Sequence, residues 1–187
     1  MIEEFAKGFL ARVNEALAEV ELADIDEVVK TISRSFREGH AVYVMGNGGS
    51  SATASHLACD LCYAEGKKNS FRVTCLSDSV PLLSALGNDL GYADVFSVQL
   101  DQLLGSGDVV IVLSVSGDSE NILKAAKSAR QHGATSIGFL GSKGGQAQAL
   151  LDHCVALSSA DFPVVESVHC VLMQMVASAF RKNVEQA

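Results

Sequence analysis

Residues 41–60, AVYVMGNGGSSATASHLACD, place an apolar, β-branched run directly before a glycine-rich turn and a helix-like segment. A short apolar run that ends in such a turn predicts a buried strand that leads into a helix at its carboxyl end. Two questions arise from this stretch. One is what the turn GNGGSS (46–51, the glycine turn) is shaped to hold, and the other is whether His56 and Asp60 do chemistry or merely pack.

The same pattern recurs along the chain, because β-branched runs alternate with longer stretches of helical periodicity. The later runs are FRVTCL (71–76), DVVIVLSV (108–115), TSIGFL (135–140) and CVAL (154–157). Alternation of this kind is typical of repeated βαβ units. We therefore predict an α/β fold in three layers, with a five-stranded parallel sheet and helices on both of its faces.

Further helices are predicted at the two ends of the chain, at residues 3–20, 25–39 and 164–185. These helices carry more apolar surface than one small sheet can cover, which indicates burial against other subunits. We expect a single domain over residues 1–187. In it, residues 1–38 form two helices that pack in the oligomer, and residues 41–187 form the ligand-binding core.

Composition narrows the class of protein. The chain has 187 residues, of which 48% are hydrophobic and 19% charged, and this is ample material for a buried core. Its formal net charge of -8 argues against nucleic acid or an anionic membrane as partner. An acidic N-terminus, five cysteines and no apolar run of roughly 18 residues lead us to expect a cytoplasmic protein without a membrane partner.

The most informative polar segment is SVSGDS (114–119, the serine turn), which follows the third predicted strand. Its hydroxyls and the bare backbone N–H groups of a helix start favour a phosphate monoester, without any lysine. The alternative is that Ser119 only caps the helix while Asp118 favours the helix dipole. The glycine turn has neither the P-loop lysine nor the dinucleotide glycine spacing, so nucleotide binding is not favoured.

Several segments together resemble a known family. They are GNGGSSATASHLACDL, LSALGNDLGYADVFSVQL, GDVVIVLSVSGDSENILKAAKSAR, GFLGSKGGQ and DFPVVESVH. In this order they are similar to the sugar-isomerase (SIS) domain proteins, and within that family to the phosphoheptose isomerases. The resemblance covers nearly the whole chain.

The resemblance implies a three-layer, flavodoxin-like SIS fold, a homotetramer with sites between subunits, and a phosphorylated sugar as ligand. It implies isomerisation of the ketose sedoheptulose 7-phosphate to an aldose, D-glycero-D-manno-heptose 7-phosphate, through an enediol, as a step toward heptose units of surface glycans. The phosphate contacts it implies are Ser114, Val115, Ser116 and Ser119. The sugar contacts it implies are Asn47, Gly48, Gly49, Ser50, Asn88 and Asp89, together with Glu166.

A divalent metal, zinc, is also implied by the resemblance, but the chain departs from the family at the ligands. The family has histidine and glutamate four residues apart on one helix, and glutamine and histidine eight apart on the last. Here these positions are His56 and Asp60, then Glu166 and Gln174. Spacings of four and eight each keep two side chains on one helix face, so the four remain a plausible set of metal ligands.

The same departures affect catalysis. Aldose–ketose isomerisation needs a proton-transferring group, and the amide of Gln174 cannot titrate. We therefore regard Asp60 and Glu166 as the candidate acid or base, with Gln174 at the remaining catalytic position.

Three alternatives stay open at the level of sequence. His56 and Gln174 could form a buried hydrogen-bonded pair without a metal. The chain could be a non-catalytic SIS module that binds a sugar phosphate or a partner protein in regulation. His169, which lies among apolar neighbours on the last helix, is either a further candidate for the acid or base or, as we expect, a structural residue, and Asp94 is expected to cap the helix that follows it.

Overall fold

The structure is a computed structural model that describes residues 1–63 and 71–185. Its helices are α1 (Ile2–Ala18), α2 (Leu22–Glu38), α3 (Gly49–Cys62), α4 (Val80–Asp89), α5 (Ser97–Leu103), α6 (Glu120–Gln131) and α7 (Phe162–Glu185). Its strands are β1 (Val42–Gly46), β2 (Val73–Cys75), β3 (Val109–Ser114), β4 (Thr135–Leu140) and β5 (His153–Ala156).

The five strands form one parallel sheet in the order β2-β1-β3-β4-β5, which confirms the predicted α/β fold. In the centre of the sheet, Val42 pairs with Val109 and Gly46 with Leu113. Every residue of β1 and β3 is buried, as expected for parallel strands covered on both faces.

Alternate residues of the strands divide the core into two clusters. On β1, Val42 and Val44 pack toward α1, α2, α3 and α7, whereas Tyr43 and Met45 pack toward α5 and α6. Because successive strand residues point to opposite faces, one apolar run supplies both layers. This is the physical basis of the three-layer architecture.

Helix α7 is long and apolar enough, by length and composition alone, to cross a membrane. Its buried residues instead join the cluster formed with α1, α2 and α3, and include Val168, Leu172 and Phe180. A core helix of a folded domain meets the same criterion, so this is weak evidence for a membrane span. The sequence of α7 contains no unbroken apolar run of this length, because polar residues such as Glu166 and Gln174 interrupt it.

The order of the strands determines where a ligand site is expected. From β1 the chain moves to β2 at one edge of the sheet, then crosses back to β3 on the other side of β1 and continues to β4 and β5, so β1 and β3 flank the switch point of the sheet. Ligands of open α/β sheets bind outside the carboxyl ends of the strands at this point. The glycine turn follows β1 and the serine turn follows β3, so both turns lie there.

Candidate active site

A cavity of about 70 Å³ lies at the carboxyl ends of β1 and β3. It is much smaller than a pocket for a whole organic ligand, typically about 300 Å³ or more. A single chain therefore encloses only one end of a ligand. The lining residues come from both turns and from the start of α7: Asn47, Ser50, Leu113, Ser114, Val115, Ser116, Ser119, Phe162 and Glu166.

The serine turn is built by its own hydroxyl oxygens. The backbone N–H of Gly117 donates to Ser114 Oγ at 3.1 Å, and that of Asp118 donates to Ser116 Oγ at 3.2 Å. Both oxygens act as acceptors here, so each hydroxyl keeps its own hydrogen for another partner. Ser119 occupies the N-cap position of α6 without a side-chain capping bond. Its hydroxyl is therefore not used as the cap that the alternative explanation required.

A second loop supports the serine turn from behind. Gly117 has a φ of +67°, and a Cβ atom placed on it would collide with the carbonyl oxygen of Gly144. The Ala147 N–H donates to the Gly117 carbonyl at 2.9 Å, and the Gln146 N–H donates to Asp118 Oδ1 at 2.9 Å. Asp118 therefore holds the segment GSKGGQ (141–146) against the serine turn, and it also lies near the N-terminus of α6.

The glycine turn approaches the cavity through its backbone. Gly48 adopts a φ of +53°, which favours glycine, and α3 begins at the next residue. Ser50 is buried and lines the cavity together with Asn47. Gly48 and Gly49 are exposed beside the cavity.

Glu166 lies at the cavity and contacts the glycine turn. A Cβ atom on Gly49 would overlap the Glu166 carboxylate, so a side chain at position 49 would make this carboxylate move. Glu166 is the one ionisable side chain among the described residues that line the cavity. The serines predicted to contact phosphate and one candidate acid or base therefore line the same small space.

Three other predicted residues meet where α3 packs on α7. The Gln174 Nε2 amide donates to Asp60 Oδ2 at 2.6 Å and lies 3.3 Å from His56 Nε2, and His56 Nε2 is 3.4 Å from Asp60 Oδ2. The His56 side chain is 65% exposed, so the hydrogen-bonded pair considered from the sequence is not a buried one. Glu166 is not in this cluster, since eight helical residues separate it from Gln174 by about 12 Å along the axis.

The cluster fits a divalent metal in part. Zinc held tetrahedrally by nitrogen and oxygen ligands separates neighbouring donor atoms by about 3.4 Å. Two of the three separations agree with this value, whereas the short contact between Gln174 and Asp60 is that of a hydrogen bond. Gln174 would have to turn its amide to present Oε1. Within residues 1–63 and 71–185, no group of three or more histidine, cysteine and acidic side chains has a metal-binding arrangement.

Asn88 and Asp89 lie outside the cavity lining. They end α4 as exposed residues, and the Asn88 amide donates to Asp89 Oδ1 at 2.8 Å. Asp94 does not cap the helix that follows it, because it accepts two hydrogen bonds from Lys124 at 2.8 and 3.0 Å. The lysine on α6 is a better partner than distant backbone N–H groups, and α5 begins only at Ser97.

The residues that sequence reasoning missed are Asn121, Tyr92, Leu113 and Phe162. Leu113 and Phe162 line the cavity, and the two polar residues are bonded to Asn47. Both of these polar residues stand inside segments that were already of interest, SVSGDSEN and GNDLGYAD. No sequence pattern relates these two residues to Asn47, and only the folded structure shows that they form hydrogen bonds with it.

His169 is buried as expected, with 1% of its surface exposed. Neither ring nitrogen has a hydrogen-bond partner in the part of the chain that is described, and its ring packs edge-on against Phe139. Burial lowers the pKa of His169 to about 4, and the nearby Leu140 backbone opposes this shift without forming a bond that meets hydrogen-bond geometry. His169 is therefore a neutral core residue at neutral pH.

Comparison with known proteins places the chain in a family. Residues 5–141 match the SIS domain. The chain is 34% identical to a phosphoheptose isomerase of Pelobacter propionicus, over 83% of each protein, and 35% identical to one of Bradyrhizobium sp., over 79% of this chain and 75% of the relative. The fold of a phosphoheptose isomerase from Francisella tularensis matches it with a TM-score of 0.89, at 24% identity over 97% of this chain and 96% of the other. The chain belongs to the SIS domain family.

Proposed function

We propose that this protein is an aldose–ketose isomerase that converts sedoheptulose 7-phosphate to D-glycero-D-manno-heptose 7-phosphate in heptose biosynthesis for surface glycans. The observation that carries the proposal is the cavity in which three serine hydroxyls and the Glu166 carboxylate meet. The relatives named phosphoheptose isomerase support the choice of substrate.

The phosphate end of the substrate binds at the serine turn. Ser114, Ser116 and Ser119 donate hydrogen bonds from their free hydroxyl hydrogens, and Val115 lines the cavity between them. The unpaired backbone N–H groups at the start of α6 add donors and the positive end of the helix dipole. The donors at this end of the cavity are neutral, since no lysine or arginine is among the described residues that line it. Hydroxyls and helix N-terminal N–H groups are sufficient to bind a phosphate monoester.

The sugar end extends toward the glycine turn. Asn47 and Ser50 face the cavity, and Gly48 and Gly49 let the backbone approach a polyhydroxyl chain closely. Asn88 and Asp89 complete the sugar site from α4 in this proposal, although they stand outside the cavity of the single chain.

Glu166 moves the proton between carbons. Its carboxylate takes a proton from C1 of the ketose as the C2 carbonyl oxygen is protonated, which gives the enediol. The same carboxyl group returns the proton to C2 while O1 loses its hydrogen and becomes the aldehyde oxygen. Asp60 is the other candidate for the proton-transferring group, and Gln174 orients it by the 2.6 Å hydrogen bond.

A divalent metal, zinc by family resemblance, would be held by His56, Asp60 and Gln174. Three protein ligands with one open position are typical of catalytic rather than structural zinc. When bound there, the ion supplies Lewis-acid polarisation of a carbonyl or hydroxyl oxygen. Glu166 as a fourth ligand remains a prediction, because this position lies two helical turns from the other three.

The assembly we propose is a cytoplasmic homotetramer of single-domain subunits, with residues 1–38 packed between copies. Helix α1 exposes Ile2, Phe5 and Leu10, and α7 exposes Val171 and Met175. Apolar residues on two adjacent helices are suited to contact with another subunit. The small size of the cavity also favours a site that a second subunit completes.

The second candidate function is a non-catalytic SIS module that binds a sugar phosphate or a partner protein. The observation that favours it is Gln174, an amide that cannot titrate at a position where the family resemblance implies a histidine. In this case the serine turn binds its ligand without chemistry.

An assay of the purified wild-type protein distinguishes the two functions. The isomerase should interconvert sedoheptulose 7-phosphate and its aldose, and a Glu166→Ala variant should bind the substrate without turning it over. Retained binding with no turnover in the wild type, with and without added divalent metal, would support the binding module instead. Elemental analysis of the same preparation tests the metal, and a content far below one ion per subunit would exclude it.

A further inference from the structure

The side chains of Asn47 and Asn121 form a reciprocal pair. The Asn47 Nδ2 amide donates to Asn121 Oδ1 at 3.0 Å, and the Asn121 Nδ2 amide donates to Asn47 Oδ1 at 2.9 Å. Asn121 is buried, with 2% of its surface exposed. Two hydrogen bonds of opposite direction fix the orientation of both carboxamides. An aspartate has the same shape as asparagine but lacks the donor, so it cannot form both bonds.

The pair joins the two turns of the site. Asn47 belongs to the glycine turn after β1, and Asn121 lies in the first turn of α6, two residues beyond the serine turn. The two positions are 74 residues apart in sequence and meet across the switch point of the sheet. The pair is therefore a direct link between the segments proposed to hold the two ends of the substrate.

Tyr92 reinforces the link from a third element. Its hydroxyl donates to Asn47 Oδ1 at 2.9 Å, and the turn that carries it is tied to α6 by the ion pair between Asp94 and Lys124. Asn47 Oδ1 thus accepts two hydrogen bonds, which uses both of its lone pairs, and Nδ2 retains one free hydrogen. The side chain of Asn47 therefore has one N–H left to donate to a ligand.

Asn121 itself is not among the residues that line the cavity. Its amide atoms are occupied by Asn47, so any effect on a ligand passes through that residue. Loss of the pair would leave a polar group of Asn47 without a partner and free the glycine turn to shift relative to the serine turn.

We propose that Asn121 is a positioning residue that sets the separation between the sugar-binding and phosphate-binding turns. This inference rests on the proposed function, because it assumes a ligand that spans both turns. A ligand that occupies the serine turn alone does not depend on the pair. Asn121 therefore controls the affinity for a sugar phosphate but not the affinity for inorganic phosphate.

The test compares two ligands on three variants by calorimetry. Asn121→Asp keeps the shape but removes the donor to Asn47, Asn121→Ala removes both bonds, and Tyr92→Phe removes only the hydroxyl at the surface. For sedoheptulose 7-phosphate, we expect the dissociation constant to rise about tenfold or more in both Asn121 variants, and by a smaller factor in Tyr92→Phe. For inorganic phosphate it should stay within about twofold of wild type in Asn121→Ala and Tyr92→Phe, which decide the comparison, because the new carboxylate of Asn121→Asp near the α6 N-terminus repels either anion.

Lys127→Ala, at an exposed position of the same helix, serves as the matched control and should bind both ligands normally. Equal losses for the two ligands would show that Asn121 merely supports the fold of the serine turn, and this would overturn the inference. Unchanged sugar-phosphate affinity in Asn121→Asp and Tyr92→Phe would overturn it as well. The proposed function fails separately from this inference. If the wild-type protein binds sedoheptulose 7-phosphate without turning it over, the isomerase proposal fails but the role of Asn121 is still tested. If the wild-type protein binds no sugar phosphate, both proposals fail.

Discussion

Glu166 is the residue on which the proposed chemistry depends. Its side chain lines a small cavity together with four serines, and its carboxylate lies against Gly49. Helical spacing places Glu166 and Gln174 on the same face of α7, but it does not indicate that Gln174 contacts His56 and Asp60 while Glu166 lines the cavity. That separation follows from the packing of α3 on α7, which brings His56 and Asp60 to Gln174 only.

Replacement of Glu166 by glutamine should separate binding from turnover. Glutamine keeps the shape and polarity of the side chain but cannot accept the proton, so we expect kcat to fall by about 10² to 10⁴. The dissociation constant for sedoheptulose 7-phosphate should change by less than about fivefold, because the serine turn is untouched. Rate measurements and calorimetry on the same preparation check both quantities.

Ser167→Ala is a suitable control, since the Ser167 hydroxyl donates to the Pro163 carbonyl one turn earlier and has no other partner among the described residues. This variant should retain wild-type kinetics. Turnover of Glu166→Gln at the wild-type rate would transfer the proton-moving role to another group, with Asp60 as the remaining candidate.

The lowered pKa of His169 makes the free energy of unfolding depend on pH. Its pKa falls from the ordinary value of 6.5 to about 4 on folding, so between these values the unfolded chain binds the proton more readily. The free energy of unfolding should therefore be unaffected by this residue above pH 6.5 and should decline between pH 6.5 and 4, by on the order of 3 kcal/mol. Urea unfolding at several pH values measures the decline.

A His169→Phe variant, which keeps an aromatic ring in the apolar site, should show a shallower decline over the same pH range. Identical pH dependence in the variant and the wild type would show that His169 does not bear this charge penalty.

At the scale of elements, the strands were predictable because each is a short β-branched run that ends in a glycine or serine segment. The edge strand β5 follows the same rule, although only Val155 among its residues is buried. Contacts between distant elements were not predictable. The amide pair of Asn47 and Asn121 and the ion pair of Asp94 and Lys124 join residues that no periodicity relates.

The serine turn should be sensitive to any side chain at Gly117. An alanine there has both an unfavourable positive φ and a collision with the Gly144 carbonyl, so the turn must move. We expect Gly117→Ala to weaken inorganic phosphate binding by about tenfold or more. Phosphate titration followed by calorimetry measures the loss.

Gly39→Ala separates conformational strain from the collision. Gly39 ends α2 with a φ of +74°, and nothing lies within 4 Å of a Cβ atom placed there. This variant should lose stability through strain but bind phosphate as the wild type does. Equal phosphate affinity in the two variants would show that the serine turn does not hold the anion.

At the scale of the whole molecule, the fold explains where the site lies but not how it is completed. The single chain offers a cavity of about 70 Å³ and leaves Asn88 and Asp89 outside it. The sequence predicted a surplus of apolar helix surface, and the exposed residues of α1 and α7 agree with it. In the proposed assembly, the residues that another copy covers depend on a second chain, and no pattern within one sequence specifies them.

Disruption of α1 should dissociate the assembly. Phe5 is 63% exposed in the single chain, and a Phe5→Glu substitution would place a charge in the proposed contact between subunits. We expect light scattering to show a fall in mass from a tetramer to smaller species, together with a loss of turnover. Lys7→Glu introduces the same charge at an exposed position of the same helix and should remain tetrameric. A Phe5→Glu protein of unchanged mass would exclude α1 from the interface.

We propose that the serine-lined cavity carries out enediol isomerisation with Glu166 as the proton-moving group. Proton NMR of sedoheptulose 7-phosphate in D₂O with metal-supplemented wild-type protein is the decisive measurement. We expect aldose anomeric signals to grow, with deuterium incorporated at C2 of the product, and both changes to be at least about 10² slower with Glu166→Gln. Absence of aldose signals with the wild-type protein, at a substrate concentration at which binding is demonstrated, would refute the proposed isomerisation.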